Sequence, residues 1–252
     1  MLKPIQHHIT HIKTTPDYLK VLIVRSIGNF LVLLALFVVV KTFYQPLYEE
    51  ARYFADHFSH KQYVVVSTPQ EARSIEQQAA KQIPPPTDTK GKLAELIAGA
   101  NIQPLVPQDP QFSILIPKIG ANSRVISNVN PANESEYLAA LQKGVAQAKG
   151  TAFPGEGGHI YLFAHSTDYV WNVNTYNAVF YLLYKLDIND EIDLFYKGQR
   201  YTYRVVDKTI VDPSQVEYLT RKTDYELLTL QTCWPPGTSL KRLLVFARRV
   251  AE

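Results

Sequence analysis

Apolar and polar positions follow different patterns at the two ends of the chain. Residues 21–44 form one long apolar run with few polar interruptions, which matches the ~20 residues that span a bilayer as a helix. From residue 111 onward, short β-prone runs alternate with turn residues. Short strands at that spacing are typical of a β-barrel or sandwich. The pattern therefore predicts a transmembrane helix followed by a mainly β domain.

The apolar run is predicted to be an uncleaved membrane anchor. It is longer than the apolar region of a signal peptide, it starts late, and no small-x-small cleavage site follows it closely. Basic residues precede its centre, namely Lys3, Lys13, Lys20 and Arg25. The positive-inside rule therefore places residues 1–20 in the cytoplasm and the rest of the protein outside a single-pass cell membrane. A buried core helix is the alternative interpretation.

Residues 45–110 are predicted to form an extracytoplasmic stalk or linker. Helical patterns occupy residues 49–55, 69–82 and 92–98. Residues 63–66 fit either a short strand or part of a helix. The triple proline at residues 84–86 predicts a stiff, extended spacer. Further prolines end the region, so the boundary with the β domain is expected just before residue 111.

Residues 111–252 are predicted to fold as a closed barrel of about eight strands with a few short helices. The β-prone runs are residues 112–116, 124–126, 159–164, 191–196, 201–207, 210–211, 227–230 and 241–247. Helical patterns are found at residues 135–142 and 179–183. Residues 197–200 are predicted to join two of the strands as a hairpin.

Composition narrows the function classes. The hydrophobic content of 46% is enough for a real core. The formal charge of +3, with 26 basic and 23 acidic side chains, argues against a nucleic-acid binder, which would show a basic cluster. The single cysteine excludes an intramolecular disulfide.

That cysteine, Cys233, follows the apolar run 227–230 and precedes the turn sequence WPPG at residues 234–237. A thiol at a strand end beside a loop is both rigidly held and reachable, as a nucleophile must be. The alternative is a small buried hydrophobe, the usual fate of a free cysteine. A lone cysteine outside the cytoplasm is exposed to oxidation, however, and its presence there needs a reason.

Two other strands offer partners for this thiol. His165 lies where the strand 159–164 gives way to a loop, a common position for functional residues. Its alternative role is to bond nearby backbone. Arg242 lies on the strand after Cys233, where an ordinary charged side chain would discourage edge-to-edge pairing. Arg248 and Arg249 fit that pattern equally well, so the pattern alone does not choose among the three arginines.

A family resemblance selects Arg242 among these three arginines. Residues 229–233 read TLQTC, and with Arg242 on the next strand they resemble the signature of sortases, TLxTC followed by an arginine. His165 is similar to the sortase histidine, which a glycine usually precedes. Residues 116–120, IPKIG, and the stretch 143–155 resemble further elements of the family. The departures are Ala164 in place of that glycine and Asn189 where a GDxI sequence is common, while the TCWP sequence fits a TCxP subgroup.

The resemblance implies a membrane-anchored cysteine transpeptidase with a sortase-like β-barrel. The Cys233 thiolate would cleave an LPxTG-like sorting signal and form a thioester, which an amine on a cell-wall precursor or pilin lysine would resolve. His165 would act as general acid and then general base. Arg242 would bind substrate carbonyls and stabilise the oxyanion, and Thr232 would help to position substrate or oxyanion.

The implied partners are secreted proteins that carry a C-terminal sorting signal, the amine acceptor, and membrane lipid around the N-terminal helix, at a Gram-positive-like cell surface. No cofactor is implied. The sequence shows no acidic cluster for calcium, and one cysteine argues against a structural zinc cluster. Two alternatives stay open. The same residues would serve a membrane-anchored cysteine hydrolase that uses water as the acceptor, and a non-catalytic surface β domain would bury Cys233.

Overall fold

The computed structural model describes residues 16–81, 101–166 and 179–250. The helix expected at residues 92–98 and the proline spacer at 84–86 lie outside this part of the chain. Helix α1 spans Pro16–Phe58, and its stretch Tyr18–Lys41 is long and apolar enough to cross a membrane. The chain divides into two units, Met1–Gln45 and Pro46–Glu252.

The larger unit begins with the end of α1 and a small parallel sheet. Strand β1 (Lys61–Val65) is followed by helix α2 (Pro69–Lys81), and β1 pairs with β2 (Asn101–Leu105). Val65 and Leu105 pack against Leu115 and Phe195 of the barrel. Residues 63–66, for which strand and helix were both open, therefore fall mainly in a strand. Strand β2 was not predicted, because its alternation is broken by Pro104.

The barrel contains eight strands in the closed order β10-β8-β7-β3-β4-β5-β6-β9. They are β3 (Phe112–Ile116), β4 (Ala121–Val129), β5 (Val145–Ala148), β6 (His159–Phe163), β7 (Glu191–Tyr196), β8 (Gln199–Val211), β9 (Leu227–Trp234) and β10 (Lys241–Arg249). Short helices join them: η1 (Pro117–Ile119), α3 (Glu134–Leu141), η2 (Tyr181–Lys185) and α4 (Glu217–Thr220). The prediction of a mainly β, closed barrel with few helices is confirmed.

Side chains inside the barrel form its core. Ile114, Ile160, Leu162 and Leu230 are 0% exposed. Full burial of one such side chain contributes about 1.5–3 kcal/mol relative to leaving it exposed. Because successive side chains of a strand point to opposite faces, a strand that packs inward at alternate positions presents the others outward. Cys233 on β9 and Arg242 on β10 lie on this outward set, whereas Thr232 is buried on the face of Leu230.

Several elements differ from their predicted bounds, and one strand was not predicted. The hairpin loop is only Lys197 and Gly198, both with positive φ, instead of residues 197–200. Two-residue turns with positive φ match the twist of the paired strands, so β8 starts at Gln199 and continues through Val211. Strand β5 was missed, because it is only four residues long and two of them are alanines, which are depleted in strands.

Candidate active site

Three neighbouring strands bring the predicted functional residues together. Strands β6 and β9 are parallel, with Phe163 opposite Gln231, and extending this register by two residues places His165 level with Cys233. Strands β9 and β10 are antiparallel, with Arg242 directly opposite Cys233. Opposite residues share a face, with Cβ atoms about 4.5–5.5 Å apart. Cys233 and Arg242 therefore lie side by side on adjacent strands, and the extended register puts His165 at the same level just beyond the end of β6.

Thr232 fixes the chain just before His165. Its hydroxyl is buried and donates a hydrogen bond of 3.0 Å to the Ala164 carbonyl. The Ala164 amide in turn donates to the Gln231 carbonyl at 3.1 Å. These two bonds continue the β6–β9 pairing beyond the end of β6, and they hold the backbone from which the half-buried His165 extends.

The Cys233 thiol is free and half-buried, and Arg242 is the cation that acts on it. Burial raises the pKa of the Cys233 thiol, and the positive charge of Arg242 opposes that rise. The protonated thiol therefore dominates near neutral pH in the unliganded protein. A reacting thiolate would depend on Arg242 and on a base in reach, because the thiolate is the nucleophilic form.

The guanidinium of Arg242 is held from one side only. Its Nη1 donates to the carbonyls of Ser239 and Lys241, both at 3.1 Å. Within the described residues its Nε and Nη2 make no hydrogen bond, so these donors remain for a ligand beside Cys233. Arg248 lies opposite Leu227, at the other end of β9.

Arg248 and Arg249 are engaged elsewhere. The Arg248 guanidinium lies 4.4 Å from the centroid of the Tyr225 ring. Arg249 approaches a Glu226 carboxylate oxygen at 3.7 Å and lies over Tyr201. Among the three arginines between which the sequence pattern could not choose, only Arg242 is level with the thiol.

A family model described as the sortase domain matches residues 114–250, which is over half of the chain. The matched range includes His165, Cys233 and Arg242. The chain belongs to the sortase family. Sortases are cysteine transpeptidases, so family membership assigns the protein to that class of enzyme. It also confirms the resemblance inferred from the TLQTC sequence.

Known sortases of several classes are similar to this one. It is 27% identical over 175 residues to sortase D of Bacillus subtilis (strain 168), covering 68% of this chain and 79% of that protein. It matches the structure of sortase C-1 from Actinomyces oris at 26% identity and a TM-score of 0.48, covering 73% of this chain and 97% of that one. It also matches the structure of sortase C1 of GBS Pilus Island 1 at 26% identity and a TM-score of 0.46. That match covers 56% of this chain and 65% of the other one.

A polar pair close to the thiol of this sortase was not predicted from its sequence. The Tyr161 hydroxyl donates to Gln231 Oε1 at 2.5 Å, and Gln231 precedes Cys233 by two residues on the same face of β9. Burial raises the pKa of Tyr161 well above its ordinary value, against the opposing charge of Arg242. The contact depends on the β6–β9 pairing, which the pattern along a single strand does not reveal.

The second histidine of the sortase barrel has a different environment. His159 is buried, with Nδ1 3.1 Å from the Arg221 carbonyl and Nε2 2.8 Å from Thr229 Oγ1. Burial lowers the pKa of His159 to about 4. The ring is therefore neutral at physiological pH. Its Nδ1–H donates to the carbonyl, and its Nε2 accepts from the threonine hydroxyl.

Sortases in general work without a cofactor. Among the residues that the structure describes, no three His, Cys, Asp or Glu side chains come close enough together to hold a metal ion. The absence of a cofactor or of calcium dependence in this particular sortase stays a prediction.

Proposed function

We propose that this sortase cuts the Thr–Gly or Thr–Ala bond of an LPxTG-like sorting signal and transfers the acyl group to an amine on a cell-wall precursor or a pilin. The observation that supports this most is the common level of His165, Cys233 and Arg242 on adjacent strands. Nucleophile, proton carrier and fixed cation are then within reach of one scissile bond, as covalent catalysis requires.

In the first half-reaction, the Cys233 thiol gives its proton to His165, the sulfur attacks the threonine carbonyl carbon, and the carbonyl oxygen becomes an oxyanion. The Nε and Nη2 donors of Arg242 stabilise this charge, and a guanidinium suits the task because it stays protonated. The C–N bond then breaks, and His165 donates a proton to the departing amine. The product is a thioester on Cys233 and a free C-terminal fragment.

In the second half-reaction, His165 accepts a proton from the incoming amine, whose nitrogen attacks the thioester carbon. The C–S bond breaks, a new amide forms, and His165 returns the proton to the Cys233 sulfur, which restores the thiol. Thr232 contributes by holding the segment before His165, because its hydroxyl is bonded to the Ala164 carbonyl. The role of Thr232 is therefore positional, and direct contact with substrate is not part of the proposal.

The proposed location follows from the N-terminal helix. Its apolar stretch Tyr18–Lys41 suggests membrane anchoring, and sortases act at the surface of Gram-positive cells. We place residues 1–20 in the cytoplasm and the barrel outside, where secreted proteins with a C-terminal sorting signal emerge. An enzyme so anchored meets its substrates as they cross the membrane.

A product assay separates transfer from hydrolysis. The full-length protein in detergent micelles is incubated with a pool of LPxT[GAS] peptides, with and without an added amine such as triglycine. The proposal predicts that the amide product appears and rises with amine concentration, and that Cys233→Ala forms none. Products formed only by water attack at every amine concentration would make the protein a hydrolase and overturn the transfer step.

A further inference from the structure

The C-terminal part of α1 reaches the residue next to Cys233 through one tyrosine. Tyr184 of η2 donates a hydrogen bond to Oε1 of Glu50. The same tyrosine packs its ring against Trp234, with centroids 5.5 Å apart. Trp234 directly follows Cys233 on β9. A chain of contacts therefore connects Glu50 to the position of the thiol.

The Glu50 carboxylate is held at both oxygens. Its Oε2 lies 3.2 Å from Lys185 Nζ, and both side chains are only about a fifth exposed. Lys185 Nζ also lies over the rings of Tyr53, Phe54 and Tyr184, at 5.1, 5.0 and 4.9 Å from their centroids. A half-buried pair with two partners is more firmly placed than an exposed ion pair. Glu50 is therefore a fixed acceptor for the tyrosine.

Trp234 connects the Tyr184 side chain to the backbone at Cys233. Alternation along β9 points its side chain to the face opposite Cys233, where it packs against the barrel core. A shift of the Trp234 ring therefore moves the backbone that carries the thiol. Burial raises the pKa of Tyr184 and the Glu50 carboxylate raises it further, so the hydroxyl stays a neutral donor.

We propose that Glu50 and Tyr184 are positioning residues for Cys233 and that they act through Trp234. The inference rests on the proposed role of Cys233 as nucleophile. The last turns of α1 then belong to the working enzyme. A truncated protein that starts at residue 111 would lack Glu50, one of the two residues that position the Cys233 thiol.

The backbone of η2 does not depend on Glu50. Lys208 Nζ donates to the Tyr184 carbonyl at 2.9 Å and to the Leu186 carbonyl at 2.6 Å. Beyond η2, Lys118 Nζ binds Asp187 at 2.6 Å. Loss of the Glu50 contact should therefore release the Tyr184 side chain while η2 stays folded.

The test compares Glu50→Gln and Tyr184→Phe with Glu49→Gln in the full-length protein. Glu49 is a matched control, because it is the adjacent carboxylate and its hydrogen bonds go to Arg52 on its own helix. Three readouts are taken: the rate of Cys233 alkylation by iodoacetamide, the tryptophan emission, and kcat and KM for an LPxTG-type peptide. Emission is measured in a Trp171→Phe background, because the chain has two tryptophans.

Loss of one charge-assisted hydrogen bond predicts a fall in kcat of about five- to tenfold for Glu50→Gln and for Tyr184→Phe, with KM nearly unchanged. Both variants should also change the alkylation rate and shift the Trp234 emission, while Glu49→Gln leaves all three readouts at the wild-type level. The double variant should be no worse than either single one, because both remove the same contact.

Alkylation and emission within the range of Glu49→Gln would overturn the inference, even when the enzyme transfers peptides normally. The same two readouts decide the question if no peptide in the assay is a substrate, because they need only the thiol and the indole. If Glu50→Gln does not fold, as judged by thermal unfolding, Tyr184→Phe carries the test, since it keeps the ring and removes only the hydroxyl. Activity in Cys233→Ala would instead overturn the proposed nucleophile.

Discussion

The two ends of the β6–β9 pair carry the same residue type in different environments. His159 at one end is buried, bonded at both ring nitrogens, and neutral, with a pKa of about 4. His165 at the other end is half-buried and level with Cys233 and Arg242. His159 begins β6, and His165 lies two residues beyond its end. Environment, not residue type, separates a structural histidine from a candidate catalytic one.

The sharpest way to test this contrast is to remove each ring in turn. His165→Gln should lower kcat by about 10²–10⁴-fold, the range of general acid–base catalysis, and leave the melting temperature nearly unchanged. His159→Gln should spare most of kcat and lower the melting temperature, because it disturbs the buried bonds to Arg221 and Thr229. Steady-state kinetics and thermal unfolding measure both. Equal kinetic losses in the two variants would erase the distinction.

The arginines of β10 extend the same comparison. Arg242→Lys should lower kcat by about 10²–10³-fold, because an ammonium does not reproduce the guanidinium donors aimed at the oxyanion. Arg248→Lys is the matched control on the same strand and should stay within about twofold, as expected for a surface position away from the chemistry. A fully active Arg242→Lys enzyme would remove Arg242 from the proposed mechanism.

A lower pH should destabilise the folded protein through His159. The His159 pKa is lowered from 6.5 to about 4, so the unfolded chain binds a proton more readily than the folded one. Stability from this group is complete above about pH 6.5 and is lost as pH falls toward 4, with about 3 kcal/mol as its upper bound. Melting temperatures from pH 7 to 4.5 should fall less steeply in His159→Gln than in wild type, and parallel curves would contradict the assignment.

The smallest effect is expected from the polar pair beside the thiol. Tyr161→Phe removes the hydroxyl that donates to Gln231 and should lower kcat about three- to tenfold, the range of one hydrogen bond. Tyr196→Phe is a suitable control, because its ring packs on Phe112 and Phe153 in another part of the barrel. An unchanged kcat in Tyr161→Phe would mean that Gln231 needs no fixed orientation.

The sequence was informative where a pattern is local. Alternation and turn residues predicted most barrel strands, and the TLQTC sequence pointed to Cys233 and, with family resemblance, to His165 and Arg242. It was silent where the answer depends on which strands are neighbours. The parallel pairing of β6 with β9 brings Tyr161 to Gln231 and Thr232 to Ala164, and no local signal encodes that pairing.

The contact of Glu50 with Tyr184 could not be predicted from the sequence either. The two residues are 134 positions apart, and each occurs in a stretch that reads as an ordinary polar or helical segment. The assignment of residues 45–110 as a stalk also gave no reason to expect that Val65 and Leu105 pack on the barrel. Long-range packing of this kind is decided by tertiary fit, and a single sequence does not display it.

The most direct test of the central claim is intact mass spectrometry of the full-length protein after incubation with LPxT[GAS] peptides, with Cys233→Ala in parallel. The account predicts an acyl adduct on wild type only, mapped by proteolysis to Cys233 and discharged when an amine is added. An adduct of equal yield on Cys233→Ala would contradict it. So would the absence of any adduct together with slow iodoacetamide labelling of Cys233, since the thiol would then be structural.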